Sequence, residues 1–154
     1  MIKCLNRGRA MRTLATLAVL CLLLVQSVQA AVFNITPGPA DGAAGSLRAT
    51  LLLANSNAEN DTINLAAGTY TLTIANGAGQ ENLGGQGDLD LFEVGFSVTI
   101  QGAGAATTFI TQSAQDRVFQ VFPGVTFNLN DVTVSGGLAV DDGSSGAVAF
   151  SGGQ

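Results

Sequence analysis

Val98-Thr99-Ile100-Gln101-Gly102 and Val132-Thr133-Val134-Ser135-Gly136 are near copies of one short pattern: apolar, Thr, apolar, polar, Gly. Alternation of this kind puts the apolar side chains on one face of a strand and the polar ones on the other. Thr62-Ile63 opens in the same way. With other short strands lying between the copies, the echo predicts coils of about 20 to 25 residues, a period typical of stacked repeats. A single coil of that size cannot bury its inward side chains, whereas stacked coils bury them against one another. Twenty glycines for corners and only 6% aromatic residues suit a narrow interior.

On both sides of the echo, β-branched runs separated by Gly, Asn and Asp predict strands at 62–65, 69–74, 89–94, 97–101, 107–111, 117–122, 125–129, 132–135 and 147–150. Another strand is expected from Ala31 to Thr36, stopped by Pro37-Gly38-Pro39. Dipeptides that favour tight hairpins are scarce; Asn76-Gly77 lies in a long loop from Ala75 to Asp88. The fold class is therefore all-β, a solenoid of stacked coils with a short N-terminal capping helix, and the alternative is a β-sandwich. The helix is placed at Ser46 to Asn55. Ser46 is its N-cap, Leu47, Leu51 and Ala54 share one face, Arg48 and Thr50 lie on another, and Asn55, Ser56 and Asn57 close it. So short a helix needs packing to persist, and the exposed end of a first coil would supply it.

Lys3, Arg7, Arg9 and Arg12 precede an apolar run from Leu14 to Val25 and then Val28-Gln29-Ala30, which reads as a secretory signal peptide over residues 1–30. The run is shorter than the roughly 20 residues that span a bilayer. Bulky Leu20 before Cys21 argues against lipidation there. Four of the six basic residues and both cysteines, Cys4 and Cys21, belong to this segment, so the remainder carries Arg48 and Arg117 against eleven carboxylates, a formal charge of 2 − 11 = −9. Such a chain has neither the basic stripe that binds nucleic acid nor a disulfide to staple it, and without His it lacks the usual acid–base and metal side chain. Asn34-Ile35-Thr36 and Asn60-Asp61-Thr62 match the glycosylation sequon by chance in a chain rich in Asn and Thr.

The stretches 45–55 (GSLRATLLLAN) and 61–72 (DTINLAAGTYTL) resemble the entry segment of secreted bacterial right-handed parallel β-helix proteins with a CSLREA-type N-terminus. Val98 to Gly104, Asp116 to Phe119 and Leu129 to Gly137 resemble later coils of the same family. Gly45 stands where the family has Cys, and Ala49-Thr50 where it usually has Glu-Ala. The stack is expected to be truncated at the C-terminus, because no cap follows the strand at 147–150, and together with the signal peptide over 1–30 the resemblance implies an N-terminal strand and capping helix over 31–60 and the first coils of a parallel β-helix over 61–154. It implies architecture rather than activity, because such modules occur in adhesins, surface-anchored proteins and carbohydrate-active enzymes.

Three stretches invite a chemical reading. Gly102-Ala103-Gly104-Ala105-Ala106 echoes a phosphate loop, but a strand rather than a helix should follow it. Gly84-Gly85-Gln86-Gly87-Asp88-Leu89-Asp90 approaches a calcium-binding repeat, with its carboxylates one place out of register. Asp116-Arg117 is an adjacent ion-pair candidate that a sugar-acid lyase could use, and Asp88, Asp90, Asp116 and Asp131 would serve a hydrolase only if stacking aligned them. Ser46 has no His or Lys beyond residue 30 to activate it. No residue is assigned as catalytic, cofactor-binding or metal-ligating, and no cofactor is expected.

The expected function is a secreted or cell-surface bacterial module, structural or adhesive, without a catalytic site of its own. Rows of Asn, Thr and Ser on its walls would meet surface glycans or other surface proteins. The alternative is the N-terminal part of a polysaccharide-degrading β-helix enzyme, a lyase or glycoside hydrolase. No nucleic acid and no membrane span after signal cleavage are expected, and an open C-terminal edge would continue into further coils or pair with another chain.

Overall fold

The computed structural model describes residues 30–77, 81–138 and 148–149. The expected signal segment lies outside them apart from Ala30. Among the described residues are ten strands and one helix: β1 (Val32–Ile35), α1 (Leu47–Ala54), β2 (Asp61–Leu65), β3 (Gly68–Leu72), β4 (Leu89–Leu91), β5 (Ser97–Gly102), β6 (Thr108–Gln112), β7 (Phe119–Val121), β8 (Thr126–Asn130), β9 (Thr133–Ser135) and β10 (Val148–Ala149).

The strands form three sheets, β1-β2-β5-β8, β3-β6-β9 and β4-β7-β10. From β2 onward the chain visits the three sheets in rotation, so each strand pairs with the one three places later. Every pairing is parallel except β10 on β7. The fold is thus β-rich with parallel sheets and one short helix, and it departs from the antiparallel pairing of a sandwich. Among the described residues, no helix is long and apolar enough to cross a membrane.

Period-two alternation decides what is buried. In the first sheet Phe33, Ile63, Ile100 and Leu129 stand in one inward row, and in the second Tyr70, Ile110 and Val134 do. Leu89 stacks on Phe119 in the third. The buried members of these rows form one core cluster with Leu47, Leu51 and Ala54 of α1. Complete burial of Ile63 and Ile100 contributes roughly 1.5–3 kcal/mol each. Leu129, on the last strand of its sheet, remains 37% exposed. Gly102 is fixed by stacking: a Cβ there would stand 2.1 Å from the backbone oxygen of Asp131 in the following turn.

The circuits are less even than the repeat period predicts, and most are longer. Paired residues are 37 apart between Asn60 and Ser97, 29 between Thr99 and Asn128, and 24 between Thr111 and Ser135. The echo that suggested the period is also not a stacking relation, because Val98–Gln101 in β5 lies beside Phe127–Asn130, whereas Thr133–Ser135 belongs to another sheet beside β6. The pleat imposes the same in–out pattern on every sheet, so similar strands need not be neighbours.

Helix α1 takes the place of strands between β1 and β2 and packs against β2 and β4. Ser46 caps it, its hydroxyl accepting from Ala49 N at 3.2 Å. Leu47, Leu51 and Ala54 face the core as the spacing predicts. Arg48 and Thr50, on the other face, are buried as well. Thr50 donates its hydroxyl to Ser46 O, and Arg48 runs to a distant loop. Helix packing also treats the open edge of β4: the Asn55 side chain donates to Asp90 O and accepts from Phe92 N, as a neighbouring strand would.

Candidate functional site

Because Leu89 and Leu91 point inward, the pleat turns Asp88 and Asp90 to the outer face of β4. Both are nevertheless fully buried, because the preceding segment 81–88 folds back over them. Gly84 N donates to Asp90 Oδ2 at 2.7 Å. Asp88 Oδ2 accepts from Arg117 Nε at 2.8 Å. Arg117 also donates to Gln120, which lies opposite Asp90 in the β4–β7 register. Each carboxylate keeps one oxygen, Asp88 Oδ1 and Asp90 Oδ1, with no hydrogen-bond partner.

The segment is held from the other side by Arg48. Its five N–H groups are all engaged: Nε and Nη2 with the two oxygens of Asp41, Nη1 with Gly84 O and Asp88 O, and Nη2 again with Gly87 O. The Arg48 and Asp41 side chains are each 1% exposed. Asp41 also accepts from the backbone N–H groups of Thr73 and Ile74, so one carboxylate ties the helix to the start of the long loop. Burial works to raise the pKa of Asp41. The hydrogen bond and charge of Arg48, with the two backbone donors, outweigh burial and hold it below its ordinary value.

Asp116 completes the cluster. Its Oδ2 accepts from Asn76 Nδ2 at 2.6 Å and from Asp88 N at 3.1 Å, and its Oδ1 accepts from Arg117 N at 2.8 Å. Gly87 has φ +63°, and a Cβ there would come within 2.2 Å of Asp116 Oδ2, so no side chain fits at this crossing. Burial is the largest influence on Asp88 and raises its pKa to about 6, with Asp116 adding to the rise and Arg117 opposing it. Burial likewise raises Asp90 to about 7, helped by the neighbouring charges of Asp88 and Glu81 and opposed by Gly84 N–H and Arg117.

Of the residues that the sequence offered for chemistry, the fold brings Asp88, Asp90, Asp116 and Arg117 together and leaves Asp131 apart. Asp131 sits on an exposed turn and accepts from Gln101 Nε2. The ion pair of Arg117 runs to Asp88, 29 residues away, rather than to the adjacent Asp116 carboxylate. The glycine stretch 84–87 does offer oxygens to a cation, but that cation is the Arg48 guanidinium. Among the described residues, no group of three or more His, Cys, Asp or Glu side chains could hold a metal ion. The Gly102–Ala106 stretch is a corner whose Ala103 and Gly104 N–H groups bond to Thr108 Oγ1 and Asp131 O. No local pattern marks Arg48 as an organiser, because its carbonyl partners lie 36 to 40 residues away.

A carboxylate pair with raised pKa values would suit proton transfer if a substrate could reach it. At zero exposure neither carboxylate can meet a sugar chain. A separate recess beside Pro39, Asp41, Leu47 and Tyr70 has about 20 Å³ of room, enough for a water molecule and far too little for a saccharide. Comparison of the chain with family models, with curated proteins and with solved structures finds no match.

Proposed function

We propose that this chain is a secreted or cell-surface structural module, a right-handed parallel β-helix whose walls engage surface glycans or other surface proteins without a catalytic site of its own. The observation that carries the reading is the register of its outward rows. Asn34, Asn64, Gln101 and Asn130 align across the first sheet, as do Thr62, Thr99 and Asn128. Thr71, Thr111 and Ser135 align across the second. Neighbours within these rows bond to each other: Asn64 Nδ2 to Asn34 Oδ1 at 2.9 Å, Asn128 Nδ2 to Thr99 Oγ1 at 3.3 Å, and Thr111 with Ser135 at 3.3 Å. Strands about 4.8 Å apart make each row a regular line of hydroxyl and amide groups, suited to a repeating polar ligand.

The rotation through three parallel sheets supports the helical architecture, and the strong bias of parallel crossovers toward one hand supports a right-handed coil. Closure over Asp88 and Asp90 supports the absence of catalysis. The test is to expose the purified protein to a panel of immobilised acidic and neutral polysaccharides. Retention on at least one surface, weakened by Asn64→Ala with Thr99→Ala, is expected, with no unsaturated products or new reducing ends. Product release would overturn the reading in favour of the polysaccharide-degrading alternative.

A further inference from the structure

We propose that the segment 81–88 is a proton-dependent strap, seated over β4 only while the Asp88–Asp90 pair carries a proton. Asp90, in β4, and Asp88, immediately before it, are both fully buried, each with an oxygen that no donor reaches. The strap brings Glu81 toward them, and the turn before β7 brings Asp116. The cations facing the pair from other elements are Arg117, before β7, and Arg48, on α1. Arg117 reaches Asp88 Oδ2, while every Arg48 donor is already committed to Asp41 and to three strap carbonyls. Asp41 therefore balances Arg48, and Asp88 and Asp90 share the charge of Arg117.

Seating the strap strips water from Asp88 and Asp90. A second uncompensated carboxylate in that space costs far more than the single Gly84 N–H bond to Asp90 returns. A proton on the pair removes that charge and supplies an O–H donor. Loss of the proton leaves the main chain of β4 and β7 paired as before but favours the hydrated, unseated strap. Acid thus closes this corner and alkali loosens it, while the stacked sheets persist.

Amide hydrogen exchange on the full-length protein tests the idea. Protection is taken relative to intrinsic rates at about pH 5 and about pH 8.5, for Gly84 N–H and Gly87 N–H, which donate to Asp90 Oδ2 and Ile74 O. Protection at both should fall about tenfold or more at the higher pH, one pKa unit corresponding to one factor of ten, while amides of β5 stay protected. Asp90→Asn, neutral and of the same shape, should hold both amides protected at either pH. Constant wild-type protection, or an unaltered pH response in Asp90→Asn, would overturn the proposal. Should the variant fail to fold, the side-chain carboxyl carbon of Asp90 in the wild type can be titrated directly by NMR. A midpoint near neutrality supports the strap, and one below about pH 5 overturns it.

Discussion

The side-chain amide of Asn55 donates to the backbone carbonyl of Asp90 at 2.6 Å, across 35 residues of chain, and so occupies the place of a missing strand beside β4. With Phe92 N–H donating back to Asn55 Oδ1, one side chain satisfies both a donor and an acceptor on an edge that the helix buries. Asn55→Ala leaves the buried Asp90 carbonyl and the half-buried Phe92 N–H without these partners. A loss of about 1–3 kcal/mol is expected, read as a lower urea midpoint with an unchanged slope.

Leu51 tests the covering role of α1 itself. It is 2% exposed and faces the core cluster, so Leu51→Asp buries a carboxylate there or forces the helix away. The expected cost is about 3 kcal/mol, with aggregates on size exclusion as the strand ends become accessible. An unchanged melting temperature and a monomeric profile would remove the capping role.

Arg48→Met should be the more severe change at the same end. It takes the counter-charge from the buried Asp41 carboxylate and the donors from three carbonyl oxygens at once, a loss of about 3–5 kcal/mol in chemical denaturation. Arg48→Lys should recover little, since an ammonium has three donors in place of a five-donor planar fork.

Global stability should be greatest in mild acid. Asp88 and Asp90, raised to about 6 and about 7, bind more protons in the folded chain than in the unfolded one. Their contribution is therefore fully present below the ordinary value of 3.8 and is lost as pH climbs through 6 and 7. Asp41, held below 3.8, contributes in the opposite sense: its share is present above that value and lost as pH falls further. The urea midpoint should thus be higher at about pH 4.5 than at about pH 8. A midpoint that rises toward alkaline pH would contradict these assignments.

Much of the fold was legible because it is written in local patterns. The Ser46 cap, the inward face of Leu47, Leu51 and Ala54, and the strand positions all follow from spacing within a few residues. Which strand lies on which was not legible. Val98–Gly102 and Val132–Gly136 look alike because each obeys the same pleat, although they stand in different sheets. The cluster was half visible: the glycines before Asp88 marked an unusual turn, and Asp116-Arg117 stood out as adjacent charges. Their joint burial and the reach of Arg48 depend on contacts 25 to 40 residues apart, which no local pattern encodes.

Burial of the two arginines has a practical consequence. Beyond residue 30 there is no lysine, and Arg48 and Arg117 are 1% and 7% exposed with their guanidinium groups bonded in the interior. A protease that cuts after basic residues therefore has no accessible target in the folded body, and each of its sites appears only when the surrounding structure opens. Trypsin digestion becomes a direct clock for that opening, with cleavage at Arg48 reporting release of the helix and cleavage at Arg117 reporting separation of β4 from β7.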